Sequence, residues 1–391
     1  MTKPAPHILL FIVIAQFCCT SLWFAGNGVM AELITTFALP QHALGHLTSA
    51  VQLGFITGTL LFAIFTLTDR FSPSKVFLAS ALLGAACNLG ILWQGNSFST
   101  ILVFRFLTGF FLAGIYPVGM KIAADHFDQG LGKSLSFLVG ALVLGTALPH
   151  LLKGVAFALP WKGVIAATSG LALLGGLLIV LGVPDGPYRK ASQQLQLTAC
   201  FTIFREKGFR SAAFGYFGHM WELYTVWAFV PVMLTAYSQI HTEITFAVSL
   251  LSFVIIAIGG LACVLGGFIS QRLGEKRTAG WALGLSGSCC LLFPLVVVVP
   301  YPELFVVFLL FWGMVVIADS PLFSTLVAKN APAAIKGTAL TIVNCIGFAI
   351  TIVSIQLVTY LQTVLAPQWL FLVLIVGPVF GLIALFRKGS K

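Results

Sequence analysis

The chain has 391 residues, of which 59% are hydrophobic and 8% charged, against roughly 25% charged in an ordinary soluble domain. A mean hydropathy of +1.03, with 35 Phe, 39 Gly and 8 Trp, excludes a single water-solvated core, a disordered chain, a fibrous protein and a disulfide scaffold, and leaves a polytopic helical membrane protein. The formal net charge of +10 points to nucleic acid only if the cations cluster on one surface.

Crossing roughly 30 Å of hydrocarbon takes about 20 apolar residues in a helix. Runs of that kind predict twelve spans, at 8–32, 45–67, 76–93, 98–122, 134–158, 163–183, 211–236, 245–269, 278–299, 304–327, 337–363 and 369–386. The first lacks a small-residue cleavage pattern before the second, so a retained helix is expected rather than a removed signal peptide. It carries Trp23 and Asn27 and closes on Glu32; the second carries Gln52 and is followed by Asp69 and Arg70. In the fourth, Arg105 lies about 10 Å from the outer end at 1.5 Å per residue. The fifth holds His150 and Lys153 after Pro149. Pro184-Asp185-Gly186-Pro187 stops the sixth and opens the longest polar stretch, 184–210, in which Leu195 to Lys207 is mildly amphipathic and suited to the inner membrane surface. The seventh holds His219, Trp221, Glu222, Tyr224 and Trp227, with Glu222 about 16 Å from the inner end, near the midplane. Arg272 follows the eighth, Asp319-Ser320-Pro321 lies in the tenth, and Asn344 and Gln356 lie in the eleventh.

This topology places Lys3, Arg70, Lys75, Lys121, Lys133, Arg189, Lys190, Arg205, Lys207, Arg210, Arg272, Lys276, Arg277, Lys329, Lys336, Arg387, Lys388 and Lys391 on one side, 18 of the 21 Lys and Arg. Cationic loops stay in the cytoplasm, so both termini are expected there. The basic balance is then topological, and a nucleic-acid partner loses its support. Cys18, Cys19, Cys87, Cys263, Cys289, Cys290 and Cys345 show neither CxxC spacing nor a paired His, and read as small packing residues.

Several features recur just beyond half the length. Trp23-Phe24-Ala25 precedes Trp227-Ala228-Phe229 by 204 residues, Asp69-Arg70 precedes Gln271-Arg272 by 202, and Pro117 precedes Pro321 by 204. Equal offsets on equivalent spans argue for two six-helix bundles, 1–183 and 211–391, joined by a cytoplasmic linker at 184–210. Parallel repeats of this kind are a transporter architecture.

Across nearly its whole length the sequence resembles the major facilitator superfamily. The family's loop pattern between its second and third helices is matched in part by Leu67-Thr68-Asp69-Arg70 with Lys75 beyond, and its second copy by Gly267 to Lys276, where Gln271 replaces the acid. Arg105-x-x-x-Gly109-x-x-x-x-Gly114 is similar to the family's fourth-helix motif. Leu22 to Asn27 and Gly215 to Tyr224 look like bacterial carriers grouped with nitrate and cyanate transporters. The arginines that nitrate carriers place in the second and eighth helices are absent, as are those of sugar-phosphate exchangers in the first and seventh. Glycines between Gly140 and Pro149 are similar to the drug-exporter antiporter motif, without its Gly-Pro pair. The resemblance implies an all-α fold of twelve transmembrane helices, a central cavity lined by helices 1, 4, 7 and 10, and rocking of two bundles. It also implies that Asp69 and Arg70, with Arg272 opposite, are a cytoplasmic gate.

An ionisable side chain at a helix centre costs roughly 2.5–3.5 kcal/mol on insertion scales, so those inside spans are the functional candidates. His219 and Glu222, spaced i, i+3, can share a proton or a hydrogen bond on one helix face. With Asp319 they are the candidates for proton coupling, the His219–Glu222 pair foremost; the competing readings are a polar network in which Glu222 holds helix 7 against helix 1 or 11, and a carboxylate of Asp319 that serves the kink at Pro321. Arg105 offers a bidentate fork to an anion, or ties helix carbonyls or Glu32. His150 could complete an outer anion site with Arg105 and Asn27. Trp23, Asn27, Gln52, Arg105, His150, Trp221, Tyr224, Trp227 and Asn344 form the expected substrate lining, aromatic and apolar with few polar anchors.

The function these features imply is secondary active transport of a small solute, coupled to protons, by a monomer in a bacterial inner membrane. The two acids and the aromatics suit a lipophilic cation or amine; Arg105 and His150 suit a small anion. No HExxH, GxSxG or P-loop occurs, so no cofactor, no metal and no enzymatic activity are expected. The alternatives are a membrane-embedded enzyme or a transport-inactive sensor or scaffold of the same fold.

Overall fold

The computed structural model describes residues 6–127, 131–154, 159–189, 202–332 and 335–387, with the side chains of residues 6 and 131–133 not included. Lys3, Lys190, Lys388, Lys391, the Lys133 side chain and most of the expected surface piece from Leu195 to Lys207 lie outside this set. All regular structure among the described residues is helical. The chain forms two compact units, Met1–Gln194 and Leu195–Lys391.

The first unit contains α1 (Pro6–Thr20), α2 (Met30–Phe37), α3 (Ala43–Ile64), α4 (Leu67–Arg70), α5 (Pro73–Gly90), α6 (Phe98–Leu112), α7 (Tyr116–His126), α8 (Leu131–Gly154) and α9 (Trp161–Gly182). Local chemistry sets several of these boundaries. Pro73 starts α5 where a missing N–H costs nothing. Ser97 and Thr100 form a capping box on α6. Ala38 turns α2 off in the left-handed region, at φ 48°. The stretch between α6 and α7 breaks just before Pro117, whose ring cannot continue the hydrogen-bond ladder.

The second unit contains α10 (Lys207–Ile240), α11 (Val248–Leu273), α12 (Glu275–Val296), α13 (Pro302–Ala318), α14 (Ser320–Asn330), α15 (Lys336–Leu361), a 3₁₀ stretch at Pro367–Ile375 and α16 (Val376–Phe386). α10 is the core of this unit, packed against α14, α15 and α16. The break between α13 and α14 falls on Asp319, ahead of Pro321, as the break before Pro117 does in the first unit. The repeat also holds at the level of a single contact. A Cβ on Gly109 would lie 2.0 Å from the Val51 carbonyl oxygen, and one on Gly313 would lie 2.1 Å from the Ile255 oxygen. Both members of the pair are displaced by 204 residues. Only glycine lets α6 approach α3, and α13 approach α11, this closely.

Among the described residues, ten segments are long and apolar enough to cross a membrane, counting Phe98–His126 and Pro302–Asn330 as one each. They coincide with ten of the twelve predicted spans. At the third predicted position, α5 is diluted by Lys75 and Asn88 and falls short of that apolarity. The first predicted span is corrected. It is not one helix over 8–32, because α1 ends at Thr20, residues 21–26 are turns, and a 3₁₀ turn at Asn27–Val29 leads into α2. The Thr20 hydroxyl donates to the Gln16 carbonyl at 2.8 Å and the Ser21 hydroxyl to the Cys18 carbonyl at 2.6 Å, local bonds that compete with the helical ladder.

Candidate functional site

In the second unit, α10 carries two buried groups three residues apart, and they do not pair with each other. His219 Nδ1 lies 2.8 Å from Asp319 Oδ1 at the α13–α14 break, with both side chains 1% exposed. The approach lacks the alignment of a hydrogen bond, and neither Asp319 Oδ2 nor His219 Nε2 has a hydrogen-bond partner among the described residues. Tyr216 and Phe323 flank the imidazole, with ring centroids 5.9 and 6.1 Å away. The expected bond between His219 and Glu222 is therefore corrected: although they share one helix, the acid available to the imidazole comes from the opposing helix break. Asp319 makes no side-chain cap to α14.

Glu222 faces α12 and α13. Its Oε1 accepts the Ser286 hydroxyl at 2.6 Å, the Trp312 indole N–H at 2.7 Å and the Cys290 thiol at 3.4 Å. It thus joins α10 to the ninth and tenth predicted spans. The bonds that tie α10 to α15 come from other residues: Thr225 and Ser354 hydroxyls meet at 2.6 Å, Thr351 donates to the Met220 carbonyl at 2.9 Å, and Tyr216 donates to Asn344 Oδ1 at 3.0 Å. Trp221 donates to the Val373 carbonyl at 3.2 Å. Tyr224 and Trp227 are buried and packed edge to face at 5.4 Å. Trp312 and Ser286 carry no sequence signal of their own; each reads as an ordinary span residue until the fold brings it to Glu222.

In the first unit the unwound stretch between α1 and α2 is held by Arg105, which is fully buried. Its Nη1 donates to the Leu22 carbonyl at 3.1 Å and to Asn88 Oδ1 at 3.4 Å, and its Nη2 donates to the Trp23 carbonyl. The guanidinium supplies donors to two carbonyls of the unwound segment, of which that of Leu22 otherwise takes only a long bond of 3.5 Å from the Ala25 N–H. No carboxylate pairs with it among the described residues; Glu32 instead pairs with Lys153. Asn88 is oriented by donating to Ser169 at 2.9 Å, and to Thr168 and the Ile165 carbonyl at 3.2 Å each.

The other expected lining residues surround the same break. Trp23 packs on Phe55 with centroids 4.8 Å apart, and Asn27 donates to the Thr48 hydroxyl at 2.8 Å. Gly28 lies against Pro149, next to His150. His150 Nε2 and both amide atoms of Gln52 are buried with no partner among the described residues. Of the residues expected to form an outer anion site, Arg105 donates to carbonyls through Nη1 and Nη2 and Asn27 donates to Thr48, while Arg105 Nε is buried with no partner among the described residues.

At the far end of the unit, Asp69 Oδ1 lies 4.0 Å from Lys121 Nζ, which also reaches Asp125 at 3.4 Å. Arg70 is exposed, as is Arg272 near the end of α11 in the second unit. The cation that holds the 67–71 loop is Arg189. It donates to the carbonyls of Thr68, Asp69 and Phe71 at 3.3, 3.3 and 2.8 Å, and to Asp185 at 2.7 Å, while Ser72 also donates to Asp185 at 2.6 Å. The i, i+4 spacing of Asp185 and Arg189 was the available signal for this clamp.

Residues 12–355 match the Major Facilitator Superfamily. The transporter YgaY of Escherichia coli (strain K12), itself uncharacterized, is 27% identical over 47% of this chain and 48% of its own, so the chain spans about half the length of this relative. AraJ of the same organism, also named as a transporter, is 23% identical over 69% of this chain and 66% of its own. Among solved structures, a bacterial homolog of the human lysosomal transporter Spinster, inward-facing and unoccupied, aligns with a TM-score of 0.70 at 14% identity, covering 97% of this chain and 95% of that one. The nucleoside transporter NupG aligns with a TM-score of 0.73 at 16% identity, covering 97% and 100%. With residues 12–355 matched to its family model, this chain belongs to the Major Facilitator Superfamily.

Proposed function

We propose that the protein is a secondary active transporter that moves a small solute by alternating access, with protons as the coupling ion. The observation that carries this reading is the set of buried ionisable groups in the second unit, His219, Glu222 and Asp319, which no polypeptide would keep in an apolar interior without use. A desolvated acid that meets first one aqueous face and then the other is a means of moving a proton with the solute. The excess of Lys and Arg on one side of the topology supports cytoplasmic termini and the inner membrane of a bacterium. Asp69, Arg70 and Arg272 are then the cytoplasmic gate.

The test is flux into proteoliposomes, with a panel of small organic anions, amines and lipophilic cations, in the presence and absence of a pH gradient. Hits come from thermal unfolding of the detergent-purified protein, because a ligand that binds the folded state raises its stability. Gradient-driven accumulation of an unmodified solute is the expected result, lost when Asp319→Asn is combined with Glu222→Gln. Accumulation indifferent to the pH gradient would falsify proton coupling; chemical conversion of the solute would replace transport by an enzymatic reading.

A further inference from the structure

The two buried acids of the second unit are held in opposite ways. Three donors from two helices converge on one oxygen of Glu222, and one of them, the Trp312 indole N–H, can only donate. Such a set satisfies an ionised carboxylate without a proton of its own, since every donor meets an acceptor, and it is built into the length of α12 and α13 rather than at their junctions. Asp319 has one side-chain partner among the described residues, His219, and sits at the one-residue junction between α13 and α14. The atoms of that pair facing away from each other, Oδ2 and Nε2, are buried without a partner among the described residues.

The titratable neighbours are few. Cys263 of α11 and Glu222 of α10 are near enough to interact electrostatically with Asp319, and Tyr216 lies beside His219 on α10 itself. Glu222 in turn acts on Cys289 and Cys290 of α12, and no ion pair reaches His219 or Asp319 from α15 or α16 among the described residues.

We infer that the His219–Asp319 pair is the proton-exchange site of the second unit, and that Glu222 is a positioning residue that keeps one protonation state while fixing α10 to α12 and α13. The inference rests on the proton-coupled reading and sharpens it. Unloaded, the pair is a neutral imidazole beside a carboxylate, with a net charge of minus one. Taking one proton from water brings it to zero, either as imidazolium with carboxylate or as imidazole with carboxylic acid. One pair holds one proton, and it holds it at a break in the tenth span, where backbone geometry is free to change between states.

The experiment is infrared difference spectroscopy of the purified full chain titrated between about pH 5 and 8, the range in which imidazole changes charge. The expected signal is a carboxyl and imidazole change worth one proton, abolished in Asp319→Asn, shifted in midpoint in His219→Gln, and retained in Glu222→Gln. Trp312→Phe, which weakens only the hold on Glu222, is expected to leave the midpoint where it was, and it keeps the test decisive should Asp319→Asn fold poorly. A signal lost in Glu222→Gln and kept in Asp319→Asn, or a midpoint moved by Trp312→Phe and not by His219→Gln, overturns the assignment while leaving proton coupling standing. The absence of any titrating signal in the parent protein overturns proton coupling itself.

Discussion

Replacing Arg105 by methionine keeps most of the side-chain length and removes the guanidinium. Its three hydrogen bonds to Leu22, Trp23 and Asn88 are charge-assisted and buried, and bonds to charged groups are each worth about 1.5–3 kcal/mol. Against that loss stands the relief of removing a buried cation, about 2.5–3.5 kcal/mol on insertion scales. The balance is a destabilisation of about 1–6.5 kcal/mol. Arg105→Lys, with the charge kept but no planar fork to span two carbonyls, is expected to fall between the methionine variant and the parent. Thermal unfolding in detergent reads the stability, and amide hydrogen exchange over residues 21–28 reads the break itself, which should exchange faster in both variants. A methionine variant as stable as the parent, with unchanged exchange in that segment, refutes the view that Arg105 holds the unwound stretch.

Gly109→Ala and Gly313→Ala each place a methyl about 2 Å from a backbone carbonyl oxygen and should cost about 1–3 kcal/mol apiece, by similar amounts because the contact is repeated; unfolding midpoints check this. Trp312→Phe leaves Glu222 with one donor fewer and should lower stability by about 1–3 kcal/mol, an effect that disappears when measured in the Glu222→Met background, which has no oxygen to accept the indole N–H, if Glu222 is the group served. Arg189→Ala removes the three carbonyl contacts beneath the 67–71 loop; exchange there should rise while global stability changes by less than about 1 kcal/mol, as expected of a partly exposed ion pair. Asp69→Asn should alter the labelling of introduced cysteines on the two faces by a membrane-impermeant reagent, and unchanged labelling on both faces counts against a gate.

The sequence by itself determined the class of solvent, the helical architecture and the duplication. Those follow from run length, cation placement and offset, quantities that are local or additive along the chain and survive any packing. It also picked out the ionisable residues worth attention, since the cost of burying Arg105, Glu222 or Asp319 is a property of the residue and its span. What it could not determine was pairing. Helical spacing put His219 beside Glu222, but a side chain bonds what stands opposite it, and opposite His219 stands Asp319. The same limit hid Trp312 and Ser286, whose partner is 90 and 64 residues away. It also hid the break in the first span. Position 309, the counterpart of Arg105 at the repeat offset, is leucine, and the seventh span runs unbroken from Lys207 to Ile240. A run of apolar letters reads as one helix until a donor from another helix takes its carbonyls, and only tertiary structure supplies that donor.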